Sequence, residues 1–238
     1  MSHRHFWTVL AGAVSLAGAV HAQSPTAAFL FAYDVDRGKQ EAFEAGYMAH
    51  LGWHAAHGDT LPWYGWYVTS GPRTGVFVDG TFGIPFPAMD HRVDPAGDGA
   101  DMEAKVLPFA KARTYSTLEL WPEVSTARTL EAREPSAMLD AYTVQIAPAR
   151  VAAFEAVLTR GERGRLSLAW YRLVSGGPAG GYLLLVPRQG WADLAGRPRD
   201  LAGLLTATYG PGAVKAVALI DSAEVETWSY RPKLSRLP

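Results

Sequence analysis

The chain has 238 residues, of which 48% are hydrophobic and 11% aromatic, and its formal net charge is −1. This near-neutral balance contains no long run of either sign, which argues against a basic surface for nucleic acid. The chain has no cysteine, which excludes disulfides, thiolate metal sites and lipid attachment at cysteine. The hydrophobic content is that of a globular protein.

The N-terminus has the pattern of a secretory signal peptide. Arg4 and His5 give a short basic start, residues 6–20 are uncharged and largely apolar, and residues 20–22 (VHA) form a small-x-small cleavage site. We therefore expect residues 1–22 to be removed and the mature chain to begin at Gln23, in the periplasm or outside a bacterial cell. No later apolar run is long enough to cross a membrane, so no membrane association is expected after cleavage.

The rest of the chain is predicted to contain strand, helix, hairpin, helix and strand, in that order, twice. The first set is predicted as a strand at 27–35, a helix from 39 to about 57, strands at 63–70 and 75–82, a Pro/Gly/Asp-rich loop at 83–99, a helix at 100–110 and a strand at 113–121. The second set is predicted as a strand at 138–146, a helix at 149–160, strands at 166–175 and 181–187, a helix at 200–209 and a strand at 223–230.

Matching residues indicate that the second set duplicates the first. The collinear matches are Ala32-Tyr33 with Ala141-Tyr142, Phe43-Glu44 with Phe154-Glu155, Ser70-Gly71 with Ser175-Gly176, and Glu119-x-Trp121 with Glu226-x-Trp228. A βαββαβ unit of this size is typical of a ferredoxin-like half, with both helices on one face of a four-stranded antiparallel sheet. The predicted organisation is a first half at 27–122, a polar linker at 123–135 and a second half at 136–232.

The motif of the first half resembles a known superfamily. It comprises Phe43-Glu44, His50, Trp53-His54, Asp59 and, at 75–83, G-x-F-V-x-G-T-F-G. This pattern is similar to the dimeric α/β-barrel superfamily, which includes antibiotic-biosynthesis-type and haem-degrading monooxygenases, chlorite dismutase-like haem enzymes and NIPSNAP-type proteins. The resemblance implies an α+β fold in which two tandem ferredoxin-like halves form a single-chain pseudo-dimeric barrel. A monomer is then expected because the dimer interface lies within one chain, and a further homodimer stays open.

The predicted first helix carries a histidine-rich face. On a helical wheel, three histidines share one arc with Phe43 and Tyr47. Residues three or four apart on a helix are neighbours, and a neutral imidazole is a common metal ligand and general base. We therefore predict a pocket between this helix and its sheet that takes a small-molecule ligand. Its residues would be His50 and His54 as catalytic candidates, His50, His54 and His57 as candidate metal ligands, and Tyr47, His57, Trp63 and Trp66 as cofactor-binding walls.

The identity of the cofactor stays open between haem, a divalent metal and none. In the haem-binding relatives a helix histidine facing such a cavity ligates iron, and in the cofactor-free relatives His and Trp position an organic substrate. This sequence lacks those families' ligand motifs, so neither role is carried over to a particular residue. A compact zinc site would also need a third or fourth ligand, for which Asp59, Asp34 and His91 are the candidates.

The sequence therefore leaves two functions open. The first is a ligand-, haem- or metal-binding pocket in the first half, with oxygenase-like chemistry. The second is a non-catalytic periplasmic binding or stress-associated protein whose histidines only complete the core. The equivalent helix of the second half, at 149–160, contains no histidine, which favours a site in the first half. Hydrolase, Walker, H-E-x-x-H and EF-hand patterns are absent from the sequence.

Overall fold

Eight antiparallel strands close into a barrel in the computed structural model, which describes residues 26–238. The predicted signal peptide at 1–22 lies outside the described residues. The strands are β1 (Ala27–Val35), β2 (Tyr64–Ser70), β3 (Phe77–Ile84), β4 (Ala110–Leu120), β5 (Met138–Ile146), β6 (Ala169–Ser175), β7 (Gly181–Arg188) and β8 (Ile220–Tyr230). Around the barrel they follow the order β1-β3-β2-β8-β5-β7-β6-β4. The predicted α+β class and barrel are confirmed.

Five α-helices of residues 26–238 pack outside the barrel. They are α1 (Gln40–Ala56), α2 (Pro95–Lys105), α3 (Val151–Arg160), α4 (Leu201–Tyr209) and α5 (Val214–Val217). α1 and α2 cover the strands of the first half, and α3, α4 and α5 cover those of the second. Among residues 26–238, every helix is too short or too polar to span a bilayer.

Strand periodicity separates the barrel interior from the helix-covered surface. Along β1, Ala28 and Ala32 face the interior, whereas Phe29 and Tyr33 pack in the layer beneath α1. This alternation follows from the two-residue repeat of a strand, which sends successive side chains to opposite faces. The described part of the chain consequently forms three apolar cores, one inside the barrel and one between the strands and helices of each half.

The two halves have the same strand order. Followed in one direction around the barrel, it is β4-β1-β3-β2 in the first half and β8-β5-β7-β6 in the second, so that β8, β5, β7 and β6 take the places of β4, β1, β3 and β2. β2 pairs with β8 and β4 pairs with β6, which joins the halves along two seams. Val68 lies opposite Trp228 at one seam and Leu118 opposite Leu173 at the other. Each seam is therefore an antiparallel strand pair within one chain, interrupted by one irregularity in its register.

The segment predicted as a polar linker, 123–135, closes one end of the barrel. Leu130 is buried in the interior core, and its carbonyl oxygen accepts a hydrogen bond from the Tyr64 hydroxyl. The next residue, Glu131, accepts a hydrogen bond of 2.7 Å from the Tyr171 hydroxyl. The linker therefore contributes to the core as well as connecting the halves.

The second helix begins five residues earlier than predicted. α2 starts at Pro95 instead of residue 100, because the Asp94 carboxylate caps it by accepting from the Gly97 N–H at 3.0 Å. Proline suits the first helical position, where its missing N–H leaves no bond unmade. The predicted loop at 83–99 is correspondingly shorter and contains a 3₁₀ turn at Phe86–Met89.

Candidate metal centre

α1 brings His50 and His54 together one turn apart on its buried face. The two side chains are 2% and 5% exposed, and their Nε2 atoms lie 3.2 Å apart. The helix is held in this orientation by Tyr47, whose ring packs at 4.8 Å from the ring of Phe77 on β3. The predicted histidine face is therefore turned towards the sheet, with two of its three histidines inside.

Asp98 of α2 completes a triangle with the two histidines. Its Oδ1 lies 3.3 Å from Nε2 of His50 and 3.4 Å from Nε2 of His54. The three ligand atoms thus have nearly equal separations. A tetrahedral ion with bonds of about 2.0–2.1 Å has ligand–ligand edges of about 3.3 Å. The spacing therefore suits three ligands bound directly to one transition-metal ion.

Two further carboxylates hold the imidazole rings from behind. Nδ1 of His50 lies 2.8 Å from Asp101, and Nδ1 of His54 lies 2.8 Å from Asp59. Asp59 is itself held by the Leu61 N–H at 2.9 Å and the Trp63 indole N–H at 2.8 Å. A carboxylate at Nδ1 places the proton on that nitrogen and leaves a lone pair on Nε2. Three electron-rich atoms then converge on one point, where a bound cation would relieve their mutual repulsion.

The hydrogen bonds among these histidines and aspartates also shift their pKa values. Burial lowers the pKa of His50, but hydrogen bonds to Asp98 and Asp101 outweigh it, so that its pKa is raised. Burial opposes ionisation of Asp98 too, yet His50 and the nearby cations hold its pKa below the ordinary value. For Asp59, the hydrogen bonds from His54, Trp63 and Leu61 outweigh burial and lower its pKa to about 2.

A small cavity adjoins the triangle on the side of the sheet. Its volume is about 60 Å³, and its walls include Tyr47, Trp63 and Asp79. The Tyr47 hydroxyl donates to Oδ2 of Asp79 at 2.6 Å, while Oδ1 of Asp79 is buried without a hydrogen-bond partner. Burial raises the pKa of Asp79 to about 7. A ligand bound to the metal on this side of the triangle would therefore lie next to the polar groups of Tyr47 and Asp79.

Haem does not fit this cavity. About 60 Å³ corresponds to roughly two water molecules, whereas pockets for larger organic ligands measure about 300–1,000 Å³. Tyr47 and Trp63, both at most 5% exposed, occupy the space that a porphyrin would need. The donor set instead suits a single metal ion, because two imidazoles and one carboxylate can all bind it directly.

His57 and Trp66 do not join this site. His57 is exposed and stacks on Trp53 with a ring separation of 4.0 Å. Trp66 lies inside the barrel, 5.9 Å from the ring of Trp228. The reason is strand geometry: residues 63 and 66 are an odd number of positions apart, so Trp63 faces α1 and Trp66 faces the opposite way. Tyr47 and Trp63 do line the cavity.

The third ligand atom comes from a residue that the sequence did not single out. Of the three candidates, Asp59 supports His54 from behind, Asp34 pairs with Arg113 at the surface, and His91 is exposed. Asp98 was overlooked because the second helix was predicted to start after it. The available signal was Asp94-Pro95, a capping residue followed by a first-turn proline, which places Asp98 and Asp101 on one helix face.

Comparison with solved structures shows that this chain has a fold similar to that of dimeric α/β-barrel proteins. A monooxygenase candidate from Lactobacillus acidophilus NCFM is 10% identical, with a TM-score of 0.56 over 86% of this chain and 94% of its own. A second from Fusobacterium nucleatum is 9% identical, with a TM-score of 0.58 over 87% and 93%. A chlorite dismutase variant from Candidatus Nitrospira defluvii, in complex with cyanide, is 6% identical, with a TM-score of 0.57 over 89% and 93%. No protein-family model and no curated protein matches the chain.

Proposed function

We propose that this protein binds one divalent transition-metal ion through His50, His54 and Asp98 and uses it in oxygenase-like chemistry. The observation that carries the proposal is the convergence of two Nε2 atoms and Asp98 Oδ1 at 3.2–3.4 Å, with both Nδ1 atoms already held by carboxylates. Supporting carboxylates of this kind are characteristic of histidines that bind metal. A histidine that only fills a core needs no such arrangement at both ring nitrogens.

The ligand count points to a reactive centre. Structural metal sites have four protein ligands, whereas catalytic sites have three and keep a position for water or substrate. Two histidines and one carboxylate form the ligand set of non-haem iron(II) oxygenases. The monooxygenase descriptions of two proteins with this fold support the same reaction class. The metal would supply Lewis-acid chemistry and, as iron, redox chemistry.

The residues around the open position have separate tasks. Asp79 and Tyr47 offer a hydrogen-bonded acid pair at the cavity wall, where the unpartnered Oδ1 of a protonated Asp79 can donate its proton to a substrate. Trp63 and Met102 exclude bulk water, since they close the cavity with apolar atoms. The cavity volume of about 60 Å³ limits the reacting part of a substrate to a few non-hydrogen atoms.

Metal analysis of the mature chain from Gln23 tests the proposal. We would strip the protein with chelator, titrate it anaerobically with Fe²⁺ and aerobically with Zn²⁺ and Mn²⁺, and measure bound metal after gel filtration. His50→Ala, His54→Ala and Asp98→Ala each remove one ligand. His57→Ala and His91→Ala are the matched controls, because both remove an exposed histidine near the site.

One equivalent of metal in the parent and both controls, with loss in all three ligand variants, is the expected result. Binding that survives the ligand variants would overturn the proposal. A folded parent that binds no metal would favour the rival function, in which the histidines only complete the core of a non-catalytic binding protein. Oxygen consumption by the iron-loaded form would support oxygenase chemistry, whereas activity confined to zinc would argue against it.

The setting of the site is part of the proposal. We propose that residues 1–22 direct export, that the mature protein works in the periplasm, and that its halves are ferredoxin-like units duplicated in tandem. The matching strand orders of the two halves support the duplication. A monomer is expected because both seams lie within one chain. N-terminal sequencing of the exported protein tests removal of residues 1–22, and light scattering tests whether the protein is a monomer.

A further inference from the structure

A second cavity opens inside the barrel, at the end opposite Leu130. Its volume is about 300 Å³, and its apolar floor includes Val78, Leu118, Leu183 and Trp228. Strands of both halves contribute to it. It is separate from the candidate metal centre, which lies outside the barrel between the sheet and the first two helices.

The interior is packed at one end and open at the other. An eight-stranded barrel is just wide enough for its side chains to fill it or for one small ligand to occupy it. Near Leu130 the space is filled by large aromatic side chains, which include Tyr64, Phe82 and Tyr171. Near the open end, Leu30 faces the interior and yet is only partly buried. Apolar surface inside the barrel therefore reaches solvent at this end.

The rim of this cavity carries two charged side chains, Arg73 and Glu224, of which only Arg73 has an ion-pair partner among the described residues. Arg73 is engaged by Glu226, with 3.0 Å from its Nε and 2.6 Å from its Nη2 to the carboxylate. Glu224 lines the same cavity, and within residues 26–238 it makes no hydrogen bond or ion pair. It lies opposite Thr143 in the β5–β8 pairing, and the Thr143 side chain lines the cavity too. The mouth thus presents an exposed carboxylate and a hydroxyl above an apolar floor.

We propose that the barrel mouth binds a small primary amine with a compact apolar body. The apolar part would lie against Leu183 and Trp228, and the ammonium group would be held by Glu224. A cavity of about 300 Å³ is at the small end of ligand pockets, so one ring or a short alkyl chain fills it. The carboxylate selects the head group, since it attracts a cation and repels an anion.

Isothermal titration calorimetry with three six-carbon ligands that differ only in their head group tests this site. The probes are n-hexylamine, hexan-1-ol and hexanoate, at pH 7.5 and low ionic strength. We expect the amine to bind tightest and hexanoate to bind at least tenfold more weakly. Glu224→Gln should bring the amine to the affinity of the alcohol. Glu41→Gln, which removes an exposed carboxylate on α1, should leave the tenfold preference intact.

A blocking variant tests the location. Thr143→Trp places a bulky side chain at the exposed rim without touching the packed interior, and it should abolish binding of all three probes. Val225→Trp adds the same side chain on the outward face of β8 and should leave binding unchanged. Absence of amine binding, equal affinity for hexanoate, or binding that survives Thr143→Trp would each overturn the proposal. The metal-site variants should not affect these titrations.

Discussion

Gly46 of α1 packs directly against the backbone carbonyl of Lys105, the last residue of α2. A Cβ atom at position 46 would overlap the Lys105 carbonyl oxygen. The absence of a side chain therefore sets how closely the two helices approach. Because Asp98 belongs to α2 and both histidine ligands belong to α1, this contact also sets the dimensions of the candidate metal centre.

Gly46→Ala should consequently weaken metal binding. The added methyl group must push α2 away from α1, which separates Asp98 from the imidazoles and costs about 1–3 kcal/mol of stability. We expect metal affinity to fall at least tenfold. Gly52→Ala is the matched control on the same helix, because nothing lies within 4 Å of its Cβ position. It should raise stability by about 0.5–1 kcal/mol and leave the metal affinity unchanged. Equal metal affinities for the two variants would contradict this account.

The carboxylates behind the histidines should tune metal binding without abolishing it. Asp59→Asn and Asp101→Asn each replace a charged acceptor at an Nδ1 atom with a neutral amide. Loss of such a supporting carboxylate typically lowers metal affinity about 10–100-fold. Competition with a chelating dye measures the change. Asp34→Asn removes an aspartate whose partner, Arg113, lies away from the site, and should bind like the parent. Parent affinity in all three variants would show that the rings need no support.

The sequence allowed part of this site to be predicted. Spacing along α1 identified the face shared by His50 and His54, since helical periodicity depends only on position in the chain. The same reasoning wrongly included His57. A helical wheel cannot show that the end of the helix is exposed to solvent or that the His57 ring stacks on Trp53. Trp66 was misplaced for a simpler reason: strand parity alone sends it to the other face from Trp63.

The contribution of α2 to the site could not be predicted from sequence periodicity. Asp98 and Asp101 approach α1 only because two helices distant in the chain cross at Gly46, and this contact has no local pattern. Asp79 poses the same difficulty. It reads as one polar residue in an apolar strand, and its burial beside Tyr47 appears only once α1 has packed on β3.

Barrel closure was expected from the resemblance to the dimeric α/β-barrel superfamily, whereas the role of the linker was not. Leu130 is one of few apolar residues in a polar stretch, and its burial depends on both halves being in place. Leu130→Ala should destabilise the protein by about 2–4 kcal/mol, because it opens a cavity at the packed end of the barrel. Leu194→Ala, at a side chain 45% exposed, should change stability by less than about 0.5 kcal/mol. Urea unfolding compares the two, and similar small losses would mean that the linker is not part of the core.

Asp79→Asn should change how stability depends on pH in the metal-free protein. Its pKa rises from an ordinary value of 3.8 to about 7 on folding, mainly through burial. Between these values the folded chain keeps a proton that the unfolded chain has released, so stability falls as pH rises from about 4 to 7. Asparagine has no such proton. We therefore expect the variant to gain roughly 2–3 kcal/mol relative to the parent between pH 5 and pH 8.

Urea unfolding of chelator-treated parent and variant at several pH values measures this difference. Asp90→Asn is the control, because it removes an exposed carboxylate and should follow the parent curve throughout. Parallel curves for Asp79→Asn and the parent would mean that Asp79 ionises alike in both states, and its burial would then not hold a proton near neutral pH. A widening gap towards pH 8 would place a protonated carboxyl group beside the candidate metal centre, which is what a proton donor in that cavity requires.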